Sequence, residues 1–524
     1  MSLPDLIEIV PLAKPVHAEI TVPGSKSITN RALILAALAD GEVTLNGALW
    51  SEDTQIMVAC LQELGFAVEV VPDPDELCNR TIKVKGQGGR VPPGGSDMKP
   101  QELFVGNAGT AARFLLPFLC LGSGVYRLHG VPRMHERPQA ALVQAVSELG
   151  YRVESENGND KLPVRIYGGG SLRVAMETEP GENRRPESEV EQSSLTYHSL
   201  FGSSAPKRCQ VSIGESSQFA SALLLSSKVG DWQIEILGEN ADESPYVVMT
   251  SKLMATFPAQ GGRFQIEPDA SSGSYFLAAQ EFVPQWEFPE CSEKFGALAQ
   301  TIVSSSVEVN HWPKSGWQFD EKFREFLVYC SSWRIIQENY EHAKHESELG
   351  KPYFKDLLLD LIAYSKDEFS RRSDLGDSIM LAIAITPLVG PWPFEKFSIK
   401  FTDLGRLRVQ ECERVVALRT ELTKCGAKVV EEGDTLTVYP AKPGELHGAE
   451  IETYHDHRMA MCFAILGLKV PGIRIKNPAC VKKTFPNFFQ KLAAPPPQGL
   501  GAEIWEVKNG QRSRKLSDAD LFAE

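Results

Sequence analysis

The stretch Pro23-Gly24-Ser25-Lys26-Ser27, with the apolar run 28–39 behind it and Asn30 and Arg31 in the first turns of that run, decides how the chain is read. Pro23 and Gly24 end an apolar strand at 18–22 and force a turn. Ser25 or Ser27 can cap the helix that follows. A helix N-terminus exposes unpaired N–H groups and the positive end of its dipole, so it attracts anions. Lys26 adds a flexible point charge there, and Arg31 adds a planar fork one turn in. The stretch reads as a seat for phosphate or carboxylate. Taken alone it reads equally well as an ordinary capped helix with two solvated basic residues, so the rest of the chain must decide.

The same pattern recurs. A polar turn leads into a helix rich in Ala, Leu, Ser and Met at 24–41, 106–122, 215–227, 269–279, 374–390 and 454–470. These helices are apolar nearly all round, which implies burial. A second, amphipathic kind alternates with them at 51–70, 136–155, 244–257, 319–333, 411–430 and 484–494. Several end in a glycine followed by a short alternating strand, as at Gly65, Gly150 and Gly426. Glycine is the usual residue just past a helix end, and alternation marks a half-buried strand. The chain thus carries six copies of a unit with two helices and several strands, three before about residue 267 and three after. That predicts two similar α/β domains, with buried helices inside and sheets around them.

At 524 residues the chain is too long for one ordinary domain. Hydrophobic residues make up 42% and charged residues 23%, the balance of a globular protein rather than a disordered or membrane chain. No apolar run reaches membrane-spanning length, and the start lacks a signal or transit pattern. Ten scattered cysteines without paired metal spacing read as reduced thiols in a cytoplasmic protein. A net charge of −14 opposes nucleic-acid binding, so an anionic ligand needs a local basic cluster.

Such a cluster is present at the helix-opening turns. They carry Lys26, Ser27 and Arg31; Asn107, Gly109, Thr110 and Arg113; Ser216, Ser217 and Gln218; Asp377; and His455, Asp456, His457 and Arg458. Arg133, Glu411, Arg414 and Lys483 lie in further polar stretches. If equivalent turns sit at one end of each domain, these groups converge on a cleft. Five or more cations facing a gap repel one another unless an anion fills it, which points to a multiply anionic ligand. Asp377 and Glu411 are then the acid and base available for proton transfer. The His455-Asp456-His457 run resembles a metal fragment, but Arg458 beside it and the absence of a matching Cys/His cluster argue against metal. Walker and nucleophile-elbow motifs are absent.

In this order, the motifs PGSKSITNRALILAALADG, LFVGNAGTAARF, VPRMHERP, SSQFASALL, PYVVMT, DASSGSYFLAA, DLGDS, RVQECER, YHDHRMAM and KKTFP resemble the 5-enolpyruvylshikimate-3-phosphate synthase family. The resemblance covers most of 11–492. It implies an α/β fold of two similar domains, each of three βαβαββ units, with the active site in the cleft between them and two chain crossings near Thr21 and Glu267. One domain is then 21–267, with a polar insertion at 179–208. The other is 1–20 plus 268–494, with a helical insertion at 329–368. Residues 495–524, with a triple proline and mixed charges, read as a loosely attached extension.

The implied reaction moves the enolpyruvyl group of phosphoenolpyruvate to the 5-hydroxyl of shikimate 3-phosphate through a tetrahedral intermediate, in aromatic amino acid biosynthesis. It implies no metal or organic cofactor and a monomer with only small-molecule partners. By resemblance, Lys26, Ser27, Arg31, Ser216, Ser217, Gln218, Asp377 and Gln410 hold shikimate 3-phosphate. Lys26, Gly109, Arg133, Gln218, Arg414, Arg458 and Lys483 hold phosphoenolpyruvate. Asp377 accepts the hydroxyl proton, Glu411 donates to the methylene carbon, and Lys26 assists. His457 and Tyr246 fall near the ligands. Gly109, lacking a side chain, implies competition by glyphosate at the phosphoenolpyruvate site.

The chain departs from the family pattern at three places. Arg406 and Gln410 stand where the family often has Asn and Lys, as though a positive charge had been transposed. Glu243 replaces a phosphate-binding serine, with Ser244 beside it. Phe114 follows Arg113 where a smaller residue or Pro is common. These departures keep two rivals in view: a non-catalytic or specialised relative, and the sister transferase acting on UDP-N-acetylglucosamine. The latter carries Lys-Asn in place of Lys26-Ser27 and a loop cysteine that this sequence lacks.

Overall fold

The computed structural model describes residues 3–169, 207–214, 216–238, 244–282, 305–332, 367–389 and 397–523. Most of the two expected insertions, and Glu243, lie outside these residues.

The expected buried helices form at Lys26–Leu38, Gly109–Cys120, Ser217–Gly230, Ala270–Phe282, Ile379–Ile385 and His457–Gly467. Gly109–Cys120 and Ile379–Ile385 are buried at every position. In His457–Gly467 only Arg458 escapes full burial, and in Lys26–Leu38 only Lys26, Ser27 and Leu35 do. Helices without a polar face have nowhere to go but inside, so their only polar ends become the walls of a cavity.

Each of the six described sheets contains a parallel pair of strands. In four of them the pair flanks one buried helix in sequence, as in Gln101–Phe104, Gly109–Cys120, Val125–His129. Antiparallel strands then extend the sheet, here Val164–Tyr167 and Arg152–Ser155. The other two units have exchanged their first strands. His17–Ile20 precedes the Lys26 helix but pairs with Ser306–Val309, beyond the Ala270 helix. Gly262–Gln265 precedes the Ala270 helix but pairs with Glu42–Leu49, beyond the Lys26 helix.

That exchange carries the chain twice between two apolar cores. One core takes its residues from Ile28 to Ile266. The other takes Leu3 to Val22 and Tyr275 to Ala523. The crossing segments are tied to each other: Ser25 N donates to Glu267 O at 2.8 Å, Asp269 N donates to Pro23 O at 2.9 Å, and Gly24 bridges Pro268.

The extension differs from expectation. Ile504–Lys508 and Gln511–Lys515 form a hairpin that joins a five-stranded sheet beside Leu6–Ile9. Leu500, Ile504, Leu516 and Leu521 are buried in the second core. Asn509 and Gly510 both have positive φ, 52° and 75°, as a two-residue hairpin turn requires. The prolines only begin this segment; the alternation after them builds a strand.

Candidate active site

Ser25 occupies the N-cap position of the Lys26 helix, but its side chain makes no capping bond. The N–H groups of that first turn are therefore left to other acceptors. The starts of the Gly109, Ser217 and His457 helices meet it around one cavity. Its walls include Lys26, Ser27, Gly109, Ser216, Ser217, Gln218, Asp377, Gln410, Glu411, Arg414 and Arg458. Both apolar cores contribute. Arg406 crosses between them, donating to Ser217 Oγ at 3.1 Å and to the Ile213 carbonyl. Lys483 crosses to the Asn107 carbonyl at 3.2 Å.

The cations do not face an unbalanced gap. Lys26 pairs with Asp53 at 3.2 Å, and Asp53 is almost wholly buried. Arg458 reaches Asp377 Oδ2 at 3.2 Å, and Arg371 reaches Oδ1 at 2.6 Å. Glu411 is held by Arg414 at 2.8 Å and by Lys483 at 3.2 Å. Arg414 in turn is gripped from behind by Asp456, at 2.6 and 3.1 Å. Asp456 also caps the His457 helix through Arg458 N at 2.9 Å. The expected repulsion between cations is thus relieved by carboxylates of the protein itself, which an arriving anion must displace.

This pairing sets the protonation states. Burial pushes the Asp377 carboxyl up, but Arg458 and then Arg371 outweigh it and hold it well below the usual range. Burial likewise opposes ionisation of Glu411, and Arg414 and Lys483 outweigh it. His457 is forced neutral by burial, then by Lys26 and Arg458. Neither of its ring nitrogens has a hydrogen-bond partner among the described residues. Asp320, behind Asp377, is raised to about 6 by burial and by Asp377 itself.

Three expected ligands are placed differently. Arg31 is fully buried and satisfied beneath the wall, donating to Thr250 Oγ1 (2.8 Å), the Ser27 carbonyl (2.9 Å) and Ser221 Oγ (3.0 Å). Phe114, fully buried, lies 5.1 Å under its guanidinium, so the larger residue braces Arg31 and leaves the Gly109 helix intact. Lys483 stands behind Glu411 rather than on the wall. Arg133 turns outward to Glu136 at 2.6 Å and touches the cleft only through the Gln410 carbonyl at 3.1 Å. The residue that its motif delivers to the cavity is Arg137, on the wall beside Gly109.

Sequence reasoning also passed over Asp53 and Arg371. Asp53 carried a signal, as an acidic residue in the first turn of a helix. Arg371, in a polar run, carried none. Gln410 Oε1 accepts from Arg414, so the neutral residue at this position serves as an acceptor for a cation. Among the described residues no group of three His, Cys, Asp or Glu converges as a metal site, and no helix is long and apolar enough to cross a membrane.

The sequence pattern of the family EPSP synthase (3-phosphoshikimate 1-carboxyvinyltransferase) matches residues 11–179 and 394–492. A 3-phosphoshikimate 1-carboxyvinyltransferase of Trichormus variabilis is 33% identical, covering 93% of this chain and 98% of its own. That of Opitutus terrae is 34% identical, covering 94% and 98%. Among solved structures, an EPSP synthase from Acinetobacter baumannii superposes with a TM-score of 0.57 at 17% identity, covering 96% of this chain and all of its own. The enolpyruvyl transferase NikO from Streptomyces tendae gives 0.53 at 13% identity, so the two share the fold.

Proposed function

The chain belongs to the EPSP synthase family, and on that footing we propose how its cleft performs the family reaction. The enzyme transfers the enolpyruvyl group of phosphoenolpyruvate to the 5-hydroxyl of shikimate 3-phosphate and releases phosphate, a step of aromatic amino acid biosynthesis. The observation that carries the site reading is the placement of Asp377 and Glu411 on one cavity wall, each held between two cations.

Phosphoenolpyruvate takes Arg137, Arg414 and Arg458, with Lys26 and Gln218 at its side and Lys483 behind. Shikimate 3-phosphate lies against Ser27, Ser216, Ser217 and Gln410. The incoming anions draw Arg458 off Asp377, and Lys483 and Arg414 off Glu411. Asp377 then becomes basic enough to take the 5-hydroxyl proton. Glu411 becomes protonatable and delivers a proton to the methylene carbon, making the adjacent carbon electrophilic toward the hydroxyl oxygen. Elimination of phosphate with loss of a methyl proton restores the enol ether. Contact between the two cores keeps bulk water from these charges, where each interaction is stronger. The protein acts as a monomer in the cytoplasm; its reduced-thiol composition supports that location. It needs no metal or cofactor, since every proton acceptor and donor required is a side chain.

Phosphate release from phosphoenolpyruvate, measured with and without shikimate 3-phosphate, tests the reading. Release occurs only with both substrates and falls at least a hundredfold in Asp377→Ala and Glu411→Gln. Release that ignores shikimate 3-phosphate, or survives in both variants, overturns it.

A further inference from the structure

Two cavities meet at the active site. The larger, about 530 Å³, opens beside the catalytic one, and Ser217, Tyr246, Arg371 and Arg406 stand on the wall common to both. Two of those four are arginines; Arg371 is buried and Arg406 half-buried. Arg406 has no carboxylate partner among the described ion pairs; its donors go to Ser217 Oγ and the Ile213 carbonyl. Burial and then the neighbouring Arg371 lower it to about 10. Arg371 is only 8% exposed, and its Nε–H has no partner among the described residues while Nη2 donates to Asp377. A buried N–H without an acceptor is costly, and two guanidinium groups on one wall, near enough for Arg371 to lower Arg406, add their repulsion to that cost. Both costs vanish if a dianion sits between them.

We infer that Arg371 and Arg406, with Ser217, form the seat of the acceptor's phosphate, and that Arg371 thereby couples occupancy of that seat to the freedom of Asp377. The inference rests on the reaction proposed above. Arg371 is a positioning and specificity residue: the phosphate competes with Asp377 Oδ1 for one guanidinium. An acceptor without the phosphate leaves Asp377 clamped between Arg371 and Arg458 and poorly basic. Discrimination between shikimate 3-phosphate and shikimate is therefore exercised on the proton-transfer step as well as on binding. The arrangement also accounts for Gln410. Its side chain is engaged by Arg414, and the positive charge is supplied from the other side of the seat.

The test compares wild type with Arg371→Gln, Arg371→Lys and Arg406→Gln. It measures binding of shikimate 3-phosphate, shikimate and inorganic phosphate by calorimetry, and phosphate release as a function of pH. Loss of one charged hydrogen bond lowers shikimate 3-phosphate affinity by roughly 10- to 100-fold in either Gln variant. Shikimate binding and the KM for phosphoenolpyruvate stay within about twofold, because neither ligand uses the seat's charge. The acidic limb of kcat/KM separates the two arginines. The charged and titratable groups that act on Asp377 are Arg371, Arg458, Arg414, Arg406, Tyr246 and Asp320. Removing Arg371 takes away one cation that depresses Asp377, so the limb moves to higher pH in Arg371→Gln. It moves less in Arg406→Gln, whose guanidinium acts on Asp377 without a hydrogen bond to it, and nearly stays in place in Arg371→Lys, which also recovers most of the affinity. Weakened binding of inorganic phosphate in the Gln variants, in parallel with shikimate 3-phosphate, locates the effect at the phosphate.

Equal affinity for shikimate 3-phosphate in wild type and Arg371→Gln overturns the inference while leaving the reaction standing. So does an equal loss of shikimate and shikimate 3-phosphate binding, the mark of a merely structural residue. Absence of shikimate 3-phosphate-dependent phosphate release in wild type overturns the reaction, and the inference with it.

Discussion

Gly109 leaves its neighbours no slack. A Cβ there would lie 2.7 Å from both terminal nitrogens of Arg137, the flexible end of a side chain. Gly109→Ala therefore folds normally but pushes Arg137 off the wall. Its KM for phosphoenolpyruvate rises roughly tenfold, the value of one charged contact, and competition by glyphosate weakens more; steady-state inhibition kinetics check both. Glu411→Gln shows the opposite balance. It removes the carboxylate that competes for Lys483 and Arg414, so phosphoenolpyruvate binds at least as tightly while turnover is lost, as titration calorimetry beside a release assay will read. The pH dependence follows from the same pairs. Asp377 and Glu411 are depressed in the folded protein, so their ion pairs contribute stability above the unfolded value of about 4. That stability is lost as pH falls through the lowered folded values, and chemical denaturation at stepped pH should show it declining below about pH 5. At this scale the sequence was legible where a residue opens a buried helix, as with Lys26, Ser217 and Arg458. It misled at Arg133, because Arg137 lies four positions on in the same motif and only the turn of the short helix Pro132–Glu136 decides which one faces the cleft. Arg371 was illegible, since nothing in a polar run reveals which of two adjacent arginines is buried.

Among the elements, the buried helices were the most readable, because an all-apolar helix allows one placement and one use for its polar end. The terminal hairpin was the least. Its outward strand, Gln511–Lys515, is exposed along its whole length, so composition alone made the segment resemble a solvated tail. The turn Asn509-Gly510 was the available signal. The hairpin is structural: Leu500, Ile504, Leu516 and Leu521 each contribute about 1.5–3 kcal/mol on burial, a large fraction of a typical domain's net stability. Removing 503–523 is expected to abolish cooperative unfolding of the second core while leaving that of the first, so a thermal melt with two transitions in the full chain would keep one in the shortened form.

Over the whole molecule, the ties across the cleft and the ties at the crossing differ in kind. Arg406, Lys483 and Arg133 cross the cleft through single side chains. The crossing at 23–25 and 267–269 is joined backbone to backbone. Motion of one core against the other should therefore break the former and spare the latter. Hydrogen exchange checks this: both substrates together slow exchange at 213–218 and 405–411, while amides at 25 and 269 stay protected throughout.

The position of Leu6–Ile9 has a consequence for how the protein is made. The strand lies inside its sheet, between Arg474–Lys476 and Ile504–Lys508. It is synthesised long before both of its neighbours, which lie more than 400 residues later in the chain. At bacterial and eukaryotic elongation rates the interval is roughly 25–100 s, during which the core built from Ile28 to Ile266 can close on itself. For that time the strand is an unpaired apolar edge attached to a finished body. A strand made well ahead of both its sheet neighbours is thus buried last, and the nascent chain, rather than the mature protein, is where this fold is most exposed to misassembly.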